Sequence, residues 1–465
     1  MNINHESTEE NIDPIIPLLR TRAATEIEDA KKDATTSPFG SIFVLINAAL
    51  GAGLLAFPYA FWSSGGVAIA LILEAVLIIF VTGSLLILAK GIDETDSSSF
   101  EGIISALCGR ALGIVCQVSI ALYCFGTTIA FLVIIGDQLV DVSSAFTLSN
   151  NESLSDQWYF DRKFSISVLS LIFIFPFLML KNIGSLSYTS ILGVVGCVYI
   201  AIIVSIKYFL IHDDDQYFTC HRPQPLSSDC HRSWMDVFNA IPLICFGYQC
   251  HISSVPIYAG LRMRSLRRYA VVVAIGIAVC VGVYSLTGTF GYLTFHGRPT
   301  CIDADILRNY CPKDIPVNVA RVMLTICIIT SYPILHFVGR SALDSSLVEG
   351  LLTSNLVTNK TLDKWQPTRH RLEATIWYIC SLGLAIFIPD IVKVIQPLGG
   401  LAASFIFIFP GICLLRILKK PSRHYTTLLT ILLYTGASLC IVVGSYIFGD
   451  AVVYSVMINV GLIHA

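Results

Sequence analysis

The residues with the most chemical potential in this chain are small ones inside an apolar run. Ile46-Asn47-Ala48-Ala49-Leu50-Gly51-Ala52-Gly53-Leu54-Leu55-Ala56-Phe57-Pro58 lies in a hydrophobic stretch from about Phe39 to Trp62, long enough to cross a bilayer. Hydrocarbon offers no partner to a backbone N–H or C=O, so a helix loosened there must line a cavity or pack closely. A second interrupted segment, Pro242-Leu243-Ile244-Cys245-Phe246-Gly247-Tyr248, stands in the other half of the chain. Paired breaks in corresponding positions of two halves point to the central site of a transporter. The chemistry such breaks support is recognition of a zwitterion. Amides freed at a half-helix amino terminus, here Gly51, Ala52 and Gly53, suit a carboxylate by hydrogen bonding and dipole. Carbonyls freed near Cys245, Phe246 and Gly247 suit an ammonium, and Phe246 and Tyr248 are placed to close over a side chain. Asn47, Thr127 and Gln249 are unranked candidates for recognising a carboxamide.

Ionisable residues inside apolar runs need their own account, because one at the bilayer centre costs roughly 2.5–3.5 kcal/mol on the insertion scale. Glu74 is mid-run and is either a coupling carboxylate or a helix-to-helix hydrogen bonder. His251 and His336 either titrate near neutral pH or bond a backbone carbonyl, the commoner role. Arg321, Arg340, Asp137, Asp390 and Lys393 lie near run ends and are expected to snorkel. No nucleophile–base spacing, Gly-x-Ser-x-Gly, His-Glu-x-x-His or Walker motif occurs. The expectation is therefore a protein that is not an enzyme.

The elements that must position these residues are membrane helices. Hydrophobic residues make up 55% of the 465 and charged residues 13%, where a soluble domain carries about a quarter charged. Apolar runs recur at about 39–62, 66–89, 112–140, 164–180, 187–211, 234–258, 269–295, 317–342, 372–388, 394–418 and 425–448. That is about eleven spans, each near the length a bilayer requires, and it reads as five plus five plus one. The expected organisation is a disordered, polar cytosolic tail over 1–37, a five-helix repeat over 38–211 and a far-side loop over 212–233. A second five-helix repeat follows over 234–418, then an eleventh helix with a short tail over 425–465.

Orientation follows from basic residues. With the amino terminus cytosolic, Arg262, Arg264, Arg267, Arg268, Lys360, Lys364, Arg369, Arg371, Arg416, Lys419, Lys420 and Arg423 all fall inside. The same topology places the carboxyl terminus and the sequon at Asn151 on the lumenal or extracellular side, where glycosylation occurs. Most of the fifteen cysteines sit in apolar runs, where Cys acts as a small hydrophobe. Cys220, Cys230, Cys301 and Cys311 fall in far-side loops and allow three pairings; Cys220 with Cys230 is favoured because it closes a short loop.

Several longer motifs carry a family resemblance. Ile-Asn-Ala-Ala-Leu-Gly-Ala-Gly-Leu-Leu at 46–55 resembles the first-helix motif of the amino acid/auxin permease superfamily. Phe-Asn-Ala-Ile-Pro-Leu-Ile-Cys-Phe-Gly-Tyr-Gln-Cys-His-Ile-Ser-Ser-Val-Pro at 238–256 is similar to the sodium-coupled neutral amino acid transporters. Ile134–Gln138, Trp158–Phe164 and Thr330–Phe337 agree, and the likeness runs from about Ser37 to the end. The resemblance implies an all-helical LeuT-like fold with a five-plus-five inverted repeat, one further helix, and helices one and six broken. It also implies a Na+ site, with carbonyls of Ile46 and Ala49, Asn47 nearby, and hydroxyls of Thr330 or Ser331. No other cofactor is implied.

The function expected on these grounds is secondary active transport of neutral amino acids, glutamine and asparagine foremost, by alternating access coupled to Na+, H+ or both. The resemblance implies a lysosomal membrane location, with the plasma membrane as the alternative. The rival from another class is an amino-acid sensor that uses the same pocket without net flux. A sensor is expected to carry a sizeable cytosolic signalling segment, and the tail here is about 37 residues.

Overall fold

The computed structural model describes residues 37–149, 162–179, 189–211, 217, 236–297, 301–353, 359–388, 391–419 and 427–459. Ser37 caps the first helix, its hydroxyl accepting from the Gly40 N–H at 3.1 Å, with Pro38 in the first helical position. The cap satisfies one orphan donor, and proline lacks the other. This helix, α1 (Pro38–Ala49), stops where Leu50 turns extended, with φ −71° and ψ 119°. The chain becomes helical again as α2 (Gly53–Ser64), bent by 57° from α1. The two are one broken span. Gly65 and Gly66, at φ 106° and 119°, then turn the chain through conformations that suit glycine alone.

In α3 (Val67–Thr95) the residues Ile69, Ile72, Val76 and Ile79 are exposed, while Ala70, Glu74, Leu77 and Val81 are buried. The three- and four-residue spacing makes two faces, and the outer one is apolar because it meets hydrocarbon. Glu74 therefore points into the bundle. After α4 (Phe100–Cys108) come α5 (Arg110–Ser149), α6 (Arg162–Leu169), a π-helical turn at Ser170–Ile174, α7 (Phe175–Leu178) and α8 (Thr189–Ile211). The second broken span is α9 (Asp236–Gly247) and α10 (His251–Ala259), interrupted over 248–250. The chain continues through α11 (Leu266–Phe295), a 3-10 turn at Ile306–Asn309, α12 (Ile315–Thr353) and α13 (Asn359–Phe387). It ends with α14 (Val392–Ala403), a second π turn at Ser404–Ile408, α15 (Phe409–Leu418) and α16 (Thr427–Asn459). Among the described residues there is no strand.

Nine of the eleven expected spans are helices, or one bent pair, long and apolar enough to cross a bilayer. The other two are not. The described part of the fourth, 162–179, is helical through α6, the π turn and α7. The first half of α13 carries Lys360, Asp363, Lys364, Arg369, Arg371 and Glu373, so its apolar part is brief.

Most charges expected to snorkel do not. Arg321 is fully buried and donates to the carbonyls of Leu307 at 2.7 Å and Tyr310 at 3.1 Å, and to Asn318 Oδ1 at 2.6 Å. Asp137 is buried against Arg162 at 2.7 Å, and buried Arg340 donates to the His370 carbonyl at 3.3 Å. A charge can forgo water when the protein supplies its partners, which a position near a span end does not reveal. Lys393 is exposed, as expected. Asp390, Asn151, Cys220 and Cys230 lie outside the described residues. Cys301 and Cys311 are disulfide-bonded.

Candidate functional site

The two helix breaks face each other. A β-carbon on Gly53, the first residue of α2, would lie 2.8 Å from the α-carbon of Gly247, the last of α9. Only glycine allows that approach. Between the breaks stands Tyr284 of α11, fully buried. Its hydroxyl lies 2.7 Å from the Ala49 carbonyl and 2.8 Å from the Gly247 carbonyl, the terminal carbonyls of α1 and α9. Its ring stacks on Phe57 of α2, with centroids 4.0 Å apart and planes 4° from parallel. Beside it, Glu74 accepts from the Tyr248 hydroxyl at 2.5 Å and from the Ser285 hydroxyl at 2.8 Å. Glu74 thus links α3 to the second break and to α11.

The residues expected to cradle a zwitterion occupy these breaks. Gly51 and Ala52 form the link between α1 and α2, and no atom beyond its chain neighbours lies within 4 Å of where a Gly51 β-carbon would be. The approach to its backbone is open. Cys245, Phe246 and Gly247 close α9 and are buried. Tyr248 is buried too, but its hydroxyl is committed to Glu74 and its ring lies edge-on to Phe57 and Tyr284. It braces the break through these contacts. Of the carboxamide-recognition candidates, the Thr127 hydroxyl donates to the Tyr123 carbonyl at 2.7 Å. Gln249 is buried within the second break, and its Nε2 has no hydrogen-bond partner.

Asn47 points elsewhere. A β-carbon on Gly193 of α8 would meet Asn47 Oδ1 and would lie 2.9 Å from Cys327 Sγ of α12, and Cys327 interacts with Ser331. Asn47 and Cys327 therefore meet at Gly193, where α1, α8 and α12 come together, with Ser331 one turn along α12 from Cys327. The other groups implied for a cation have partners already. Ile46 O accepts from the Leu50 N–H at 2.6 Å, and Ala49 O accepts from Tyr284. The Thr330 hydroxyl donates back to its own helix, with Cys327 O at 2.9 Å and Ile326 O at 3.1 Å, a common habit of hydroxyls in membrane helices. His336 likewise bonds a backbone carbonyl, that of Ala374 at 3.3 Å, and His251 bonds the Ser84 hydroxyl at 2.6 Å.

A cavity of about 480 Å³ lies at one end of the bundle, lined by Ser41 and Val44 of α1, Ile252 and Ile257 of α10, and Ile334 and Val338 of α12. The opposite end is packed shut. There, beyond the breaks, a β-carbon on Gly399 of α14 would overlap the Pro242 backbone, and one on Gly291 would lie 2.6 Å from Pro58. The 3-10 turn adds a further tie, since Asp305 accepts from the Leu307 N–H at 3.1 Å and from the Gln138 amide of α5. Complete burial raises the Asp305 carboxyl well above its ordinary range, and the carboxylates of Asp303 and Asp137 reinforce the rise. Sequence reasoning missed Tyr284, Ser285 and Asp305. Two adjacent hydroxyls in an otherwise apolar run were the available signal for the first two.

Residues 34–451 match the family described as transmembrane amino acid transporter protein. Sodium-coupled neutral amino acid transporter 7 of Xenopus laevis is 40% identical over 91% of this chain and 90% of its own length. The Homo sapiens protein of that name is 39% identical over 91% and 89%. Solute carrier family 38 member 8 of Homo sapiens is 35% identical over 90% and 93%. Among solved structures, MhsT in complex with L-phenylalanine superposes with a TM-score of 0.52 at 13% identity, covering 89% of this chain and 99% of that one. That likeness concerns the fold, which is LeuT-like.

Proposed function

The chain belongs to the transmembrane amino acid transporter family, among the sodium-coupled neutral amino acid transporters, and from that membership we propose a glutamine and asparagine carrier coupled to Na+. The observation that carries the reading is the pair of facing breaks, with open space at Gly51 and two terminal carbonyls aimed at one point. A substrate carboxylate is bound by the Gly51, Ala52 and Gly53 amides at the positive end of α2, and its ammonium by carbonyls at the negative ends of α1 and α9. Asn47 and Ser331 hold the Na+ where α1, α8 and α12 meet, since oxygen donors suit a hard cation.

The amino terminus is cytosolic, so the cavity beside α1 and α10 faces the cytosol and the closed end faces the lumen. Transport exchanges which end is closed, and the glycine contacts between α2 and α9 are those that part. The motif resemblance supports a lysosomal membrane location and the division into two five-helix repeats.

Uptake of labelled glutamine by proteoliposomes, against protein-free vesicles, tests this. Saturable, Na+-dependent flux competed by asparagine is expected. Binding without flux supports the sensor, and flux steep in pH but indifferent to Na+ moves the coupling ion to H+.

A further inference from the structure

Two carbonyls and one hydroxyl meet at the centre of the bundle, and their proton count does not match. Ala49 O and Gly247 O are the carbonyls that close α1 and α9, and each breaks off where its next intrahelical donor belongs to a separate helix. Both lie within hydrogen-bond distance of the Tyr284 hydroxyl, at 2.7 and 2.8 Å. A phenol carries one proton. It can donate fully to one carbonyl at a time, which leaves the other short of a donor. Two half-helix negative ends therefore focus on a point whose positive charge is only that of one O–H dipole.

We propose that Tyr284 is a placeholder in the unloaded carrier, its hydroxyl holding the two terminal carbonyls together until a cationic group takes them. That group is the substrate ammonium or the coupling cation, the two charges for which carbonyls at broken helices are suited. This inference rests on the transport reading given above. Tyr284 is a positioning residue here: it joins α1 and α9 through the hydroxyl and α2 through its stacked ring on Phe57. With the hydroxyl on both carbonyls no cation can take them, so loading must break this bond. A ligand that must displace an existing contact binds more weakly by the stability of that contact.

The sign of the effect separates a placeholder from a ligand or a plain structural tie. Tyr284→Phe keeps the ring stack and removes the hydroxyl. In proteoliposomes the variant is expected to bind about three- to tenfold more tightly, the scale of one net hydrogen bond, with a lower maximal rate because the loaded state is released less readily. A shift in half-saturating glutamine at saturating Na+ assigns the site to the ammonium. A shift in half-saturating Na+ at fixed glutamine assigns it to the cation. Unchanged or weakened affinities for both overturn the proposal, whatever the change in melting temperature.

If flux is too low to read, ligand-induced thermal shift of the purified variant gives the same two affinities. Hydrogen exchange on the wild-type chain needs no variant. Adding glutamine with Na+ should alter protection at 50–53 and at 248–251 together, and a change at one break alone contradicts the tie. A wild type that carries no glutamine defeats the transport reading itself, whereas a normal wild type with an indifferent Tyr284→Phe defeats only the placeholder.

Discussion

At the scale of single residues, position relative to the breaks decides what each side chain does. Gly51 has open space where a β-carbon would stand, so Gly51→Val is expected to fold and reach the membrane normally. Its branched side chain would fill the carboxylate's approach and lower glutamine uptake by roughly tenfold or more, about the effect of losing one charge-assisted bond. Uptake normalised to surface protein checks this, and normal affinity in the variant places the pocket elsewhere. Asn47 and Thr330 are predicted to part company. Asn47→Ala should raise half-saturating Na+ by about five- to tenfold, within usual coupling energies. Thr330→Ala should change it by less than about twofold, because that hydroxyl is spent on its own helix. Uptake titrated with Na+ at fixed pH measures both. Small residues and prolines in apolar runs were legible as breaks because they recur at corresponding positions of the two halves. Tyr284 was not, because a tyrosine there usually signals packing and its two carbonyls are 235 and 37 residues away.

At the scale of elements, the closed end depends on close contact and on one buried carboxyl. Gly53→Ala would place a methyl 2.8 Å from the Gly247 backbone, and overpacking of that kind costs about 1–3 kcal/mol. A melting temperature several degrees below wild type is expected, with easier chemical access to cysteines introduced at that end. Asp305 supplies a pH signature. Its carboxyl is raised by burial, so the folded chain holds a proton that the unfolded chain releases above about pH 4. The stabilisation is complete below that pH and is lost as pH rises through the raised value. Asp305→Asn should flatten that fall, read as the difference in melting temperature between variant and wild type across acid to neutral pH. An identical slope in both contradicts it. The spans were legible from hydropathy alone, their ends less so: α12 runs to Thr353 and α16 to Asn459, past the expected 342 and 448, and α13 begins at Asn359, ahead of the expected 372. Burial of Arg321 was not, since its acceptors are loop carbonyls at Leu307 and Tyr310.

At the scale of the whole molecule, a LeuT-like fold brings two interrupted helices from opposite halves of the chain to one level and leaves one end open. The family and fold were legible because breaks and spans are patterns along the chain. Which end is closed was not, because closure lies in contacts between α2, α9 and α14. On the proposed reading, glutamine is held between the two breaks. The most direct test is an experimental structure of the purified chain with glutamine and Na+. Ligand density is expected with its carboxylate at the Gly51, Ala52 and Gly53 amides and its ammonium toward the carbonyls that close α1 and α9. Glutamine bound elsewhere, or bound with both helices hydrogen-bonded continuously through 50–52 and 248–250, would contradict it.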